Sequence, residues 1–99
     1  MGLAFQPAYS TGVTVTPNTT SASVTLGFTS ETLVFTNLGS TVVYVRAGTA
    51  TSGAPATTAG YPVLVGSQVS IGKDQDDDTV FFISPAGAGS LHIMQGIGL

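Results

Sequence analysis

The chain has 99 residues, of which 42% are hydrophobic and 7% charged, and carries a formal net charge of −3; in an ordinary soluble domain about a quarter of residues are charged. That length suits one small domain, and its two cations, Arg46 and Lys73, stand too far apart to form the basic cluster that nucleic-acid phosphates require. The absence of cysteine excludes disulfides, zinc thiolate sites and thiol nucleophiles together.

Residues 1–11 read as an N-terminal arm. They hold Leu3, Phe5 and Tyr9, large apolar side chains without strand alternation, which either pack back over the domain or anchor on another chain. The opening carries no basic n-region and no long apolar run, so the expectation is synthesis in the cytoplasm without a secretory signal. No stretch approaches the ~18 apolar residues of a membrane helix, and no membrane partner is expected.

Residues 12–99 read as a single β-sandwich domain. Short segments alternate apolar and polar residues, a period of two, and are separated by Gly, Pro, Asn or Ser. The first covers residues 12–16 and stops at Pro17-Asn18; the second covers 23–26 and the third 32–36. Asn37-Leu38-Gly39-Ser40 follows, and because Asn and Gly supply positive φ it predicts a hairpin into the fourth segment, 41–46. Residues 47–60 are almost all Ala, Gly, Thr and Ser, which predicts a long loop. Tyr61 to Val65 resumes the strand pattern, with Pro62 arguing for a sheet edge because it donates no ladder hydrogen bond. Segments at 68–72, 79–84 and 90–94 complete the set. About eight short strands and no helical pattern predict an all-β antiparallel sandwich, jelly-roll-like, with an immunoglobulin-like sandwich as the alternative.

Two segments are apolar on both faces: Val42 and Tyr44 oppose Val43 and Val45, and Val80 and Phe82 oppose Phe81 and Ile83. A strand buried on one side alone should alternate. The expectation is that at least one of the pairs Val43/Val45 and Phe81/Ile83, together with Leu3, Phe5 and Tyr9, meets another subunit.

Candidate chemistry is sparse. The run Asp74-Gln75-Asp76-Asp77-Asp78 concentrates carboxylates, yet it lacks the glycine and the distal glutamate of an EF-hand loop; it reads as a solvated turn, with no metal assigned. His92, between Leu91 and Ile93, points to the opposite face from those two. No Gly-x-Ser-x-Gly elbow accompanies it, so no catalytic residue and no cofactor is assigned and the expectation is a non-enzyme. Arg46 reads as a strand-end charge within reach of Glu31 or an aspartate.

One resemblance bears on function. Residues 36–40, then Val43-Tyr44-Val45-Arg46-Ala47-Gly48-Thr49-Ala50, then 62–67 and the late Gly89-Ser90-Leu91-His92-Ile93 resemble small all-β virion proteins of tailed bacteriophages, the capsid cement or decoration proteins above all. The resemblance covers roughly residues 33–98. It implies a jelly-roll homo-oligomer, a trimer, on the capsid surface of a virion, made in the host cytoplasm and bridging subunits of the phage major capsid protein. Sparse charge and two-faced apolar strands suit a surface shared with neighbours. The alternatives are a phage tail or neck component and a receptor- or carbohydrate-binding sandwich.

Overall fold

The computed structural model describes residues 6–7, 12–26, 31–49, 57–72 and 77–97, and shows an all-β domain of two antiparallel layers. In chain order the strands are β1 (Gln6–Pro7), β2 (Val13–Val15), β3 (Ala22–Thr25), β4 (Thr32–Asn37), β5 (Val43–Gly48), β6 (Tyr61–Val63), β7 (Gln68–Gly72), β8 (Thr79–Ile83) and β9 (Leu91–Ile97). Sheet A has the order β2-β9-β4-β7, with the two-residue β1 also pairing β9, and sheet B has the order β3-β8-β5-β6.

This is the jelly-roll winding. Every consecutive step from β2 onward crosses between sheets except β5 to β6, which pair directly as Val43↔Val63, Tyr44↔Pro62 and Val45↔Tyr61. The long small-residue connection expected at 47–60 is shorter by two residues, because β5 continues through Ala47 and Gly48, which pair with Val80 and Thr79; the rest links that one hairpin, and Pro62 lies on the edge strand that its missing donor demands.

The hairpin expected at Asn37-Leu38-Gly39-Ser40 is a correction. β4 pairs with β7 and β9, while β5 pairs with β6 and β8, so this connection crosses the sandwich. Its local chemistry differs accordingly. Among the described glycines positive φ occurs at Gly66 (73°) and Gly87 (126°), not at Gly39. Gly39 is needed for closeness instead, because a Cβ there would stand 2.7 Å from the backbone N of Ser90.

The core fills from the inward residues of both layers. Leu33 and Phe35 of β4, with Leu91 and Ile93 of β9, face Val43 and Val45 of β5, Val63 of β6, and Val80 and Phe82 of β8. The period-2 pattern explains the selection, since residues two apart share a face. Gln95 is also buried on the inward side of β9. No buried side-chain nitrogen or oxygen among the described residues lacks a hydrogen-bond partner, which is the condition for polar groups to be tolerated there.

Candidate functional site

Of the four strand residues expected at a subunit contact, Val43 and Val45 are core residues, 0% and 2% exposed. The pleat of β5 sends them inward and sends Tyr44 and Arg46 outward. Register carries that parity to the neighbouring strands: Tyr44 stands opposite Ile83 and Pro62, and Arg46 opposite Phe81. The outer face of sheet B therefore carries Tyr44, Phe81, Ile83 and Pro62, with Arg46 at the register position opposite Phe81 and Ser23 of β3 on its other side. Phe81, Ile83 and Tyr44 are half-buried, while Arg46 and Pro62 are exposed. Leu3, Phe5 and Tyr9 lie outside the described residues. Within the arm, Gln6 and Pro7 pair with Ile97 and Gly96 and so extend sheet A beside β9.

The outer face of sheet A is mixed: Val34 of β4 and Met94 of β9 stand opposite each other on it, beside Ser70 of β7. Thr14, His92, Thr36 and Gln68 form a polar row across four strands, set by the registers of β2, β9, β4 and β7, and Gln68 Nε2 donates to Thr36 Oγ1 at 2.9 Å. His92 points away from the buried Leu91 and Ile93, as its parity predicts. Gly12 makes room for it, since a Cβ there would reach 2.9 Å from His92 Nε2.

A groove of about 830 Å³ opens between the sheets along the β4/β7 and β5/β6 side. Leu33, Phe35, Val45 and Ile71 form its floor, and Glu31, Arg46, Tyr61 and Asp77 its rim. A smaller hollow of about 450 Å³ shares Val45, Arg46 and Tyr61 with it. Sequence reasoning missed this groove because its rim joins positions far apart in the chain. Glu31, Asp77 and Tyr61 beside an apolar floor, with Arg46 at the margin, are binding chemistry, and no nucleophile beside a base stands among the described lining residues. Asp77 belongs to the acidic run, of which residues 74–76 lie outside the described residues. Among the described residues no three His, Cys, Asp or Glu side chains gather to hold a metal ion.

Four loops meet at the end of the sandwich away from Glu31 and Asp77, and hydrogen bonds join them. Ser84 N donates to Asn18 O at 2.8 Å, Gly89 N to Pro17 O at 2.8 Å, Leu38 N to Ser90 O at 2.9 Å and Asn37 N to Ser67 O at 3.0 Å. The buried Asn37 side chain donates from Nδ2 to Thr41 O and Val63 O, both at 2.9 Å, and accepts from Gly39 N at 3.0 Å. Thr41 and Ser84 share a hydroxyl hydrogen bond of 2.8 Å.

No family model matches this chain, and no curated protein matches it. Among solved structures it is similar to a chain described under the heading "Bacillus endospore appendages form a novel family of disulfide-linked pili", at 14% sequence identity and a TM-score of 0.52, covering 95% of this chain and 88% of that one. At that identity the likeness establishes the shared all-β sandwich fold. The disulfide linkage of those pili has no counterpart in these 99 residues, which contain no cysteine.

Proposed function

We propose that this protein is a non-enzymatic structural subunit, a homo-oligomeric capsid cement or decoration protein that stabilises a phage head by bridging subunits of its major capsid protein. The observation that carries the reading is the outer face of sheet B, where Tyr44, Phe81, Ile83 and Pro62 stand together in a chain with very few charges. A sheet face of that composition is suited to contact with another protein rather than to solvent. The pilus-like fold of the structural neighbour is in keeping with a subunit that works by assembly. Cementing requires no reaction: apolar surface removed from water contributes roughly 25 cal/mol per Å² before association costs are subtracted, and many symmetric copies multiply a modest contact.

The test adds purified protein to virions stripped of it and follows genome release on heating. Occupied particles should release their genome at a higher temperature, saturably with occupancy, and Phe81→Asp/Ile83→Asp should remove the effect while His92→Ala keeps it. Equal release temperatures for occupied and empty particles would remove the cement reading in favour of a tail or neck component. The groove rimmed by Glu31, Arg46, Tyr61 and Asp77 supports the second reading, a carbohydrate-binding module. Glycan-array binding that is lost in Tyr61→Ala would favour it.

A further inference from the structure

The described charged residues, Glu31, Arg46, Asp77 and Asp78, are segregated along the strand axis. The chain's two cations and five anions are Arg46, Lys73, Glu31, Asp74, Asp76, Asp77 and Asp78. Glu31 immediately precedes β4, and residues 73–78 connect β7 to β8. By register both connections leave the same end, where Thr32 pairs with Gly72 and Thr25 with Thr79. Arg46 stands two residues before the end of β5 at that same end. The other end is formed by the connections 16–21, 38–42, 64–67 and 84–90, which contain no Asp, Glu, Lys, Arg or His.

The uncharged end is also where exposed apolar side chains gather. Of the four exposed large hydrophobic residues among those described, Leu38 (59%), Leu64 (62%) and Val65 (54%) lie here. Their two connections lie side by side, because the turn holding Leu64 and Val65 is fastened to Asn37, next to Leu38 in the chain, through Val63 O and Ser67 O. The loop-to-loop hydrogen bonds fix this surface before any partner arrives, which lowers the ordering cost of binding.

We infer that the uncharged loop end is the surface through which copies of this chain associate, with the acidic ends directed away from the contact. Charge separates the end-on arrangements open to two copies, and contact between two uncharged ends leaves the acidic connections in water. Head-to-tail contact would instead bury carboxylates against apolar loops without compensation, and contact between acidic ends sets like charges together. Joining uncharged ends avoids both. The five residues of β8 hold the two ends about 17 Å apart at ~3.3 Å per residue, about twice the ~8 Å Debye length at physiological salt. The inference rests on the homo-oligomer in the proposed function and is independent of any particle.

The experiment measures the mass of the purified full chain by light scattering over a concentration series. Leu64→Asp/Val65→Asp and, separately, Leu38→Asp should each weaken self-association at least tenfold with an unchanged far-UV circular dichroism spectrum, and Phe81→Asp/Ile83→Asp should leave it intact. The wild-type oligomer should persist in 0.5 M NaCl. The chain has no cysteine, so single-thiol variants give a measurement that does not depend on tolerating an aspartate: Ser40→Cys should crosslink copies through a short bis-maleimide and Thr25→Cys, at the charged end, should not. A monomeric wild type at 100 μM overturns the oligomer reading and this inference with it. An oligomer that survives the loop-end substitutions, dissociates in salt, or crosslinks through Thr25→Cys alone overturns this inference and leaves the oligomer reading standing.

Discussion

Replacing Asn37 with alanine tests whether one buried amide holds the uncharged end together. The side chain is 3% exposed and makes three hydrogen bonds, donating to Thr41 O and Val63 O and accepting from Gly39 N. Each is worth roughly 1 kcal/mol net, and a buried carbonyl that loses its donor adds its desolvation cost. The expected loss is about 2–4 kcal/mol, a large share of the ~5–15 kcal/mol of a typical domain. For a domain of this size each kcal/mol moves the midpoint by about 4–8 °C, so Asn37→Ala should melt roughly 10–25 °C below wild type in a calorimetric scan. Asn37→Asp keeps the shape and the acceptor for Gly39 N but turns an acceptor toward two carbonyl oxygens. The fold then favours the protonated carboxyl, raising its folded pKa above the unfolded value near 3.9. The stability of Asn37→Asp relative to Asn37→Ala should therefore be greatest below about pH 4 and fall as pH rises through the raised folded value. A melting point for Asn37→Ala within 2 °C of wild type would refute the bracing role of the amide.

Two further outcomes follow from burial and sequence spacing. Phe82→Ala should cost about 3–5 kcal/mol because Phe82 fills the core, whereas Phe81→Ala, on the outer face, should cost less than about 1 kcal/mol by urea unfolding; equal losses would contradict the assigned parity of β8. Chelator should leave the melting temperature unchanged, since the Asp74 to Asp78 run matches no calcium loop, and a drop on chelation restored by Ca²⁺ would transfer the segment to ion binding.

The strands were legible because alternation is a local signal. The expected segments at 32–36, 68–72 and 79–84 meet β4, β7 and β8 within a residue at each end. β9 runs to Ile97, three residues beyond its expected end, because the inward Gln95 interrupts the apolar pattern without interrupting the ladder. Which sheet each strand joins is not a local property. Asn37 and Gly39 carry the composition of a hairpin turn, but the Asn37 side chain bonds Val63, 26 residues further on, and that partner leaves no mark on the neighbouring sequence. The charge segregation behaves the same way: Glu31 and Asp77 are distant in the chain, and they share an end only after β4 and β7 pair.

The surface used in the proposed function shows how far one residue can extend a sequence reading. Within each strand's own sequence the pairs Val43/Val45 and Phe81/Ile83 are equivalent candidates, since both faces of both strands are apolar. Arg46 breaks the tie for β5, because an unpaired guanidinium is almost never fully buried and it shares parity with Tyr44; Val43 and Val45 must then face inward. Nothing in β8 itself breaks its tie, for its inward and outward sets are alike in size and polarity. The antiparallel register does so, by setting Phe81 opposite Arg46 and Ile83 opposite Tyr44. A single charge thus fixes the parity of two strands, and the outward Phe81 and Ile83 follow from it as the apolar contact surface of sheet B.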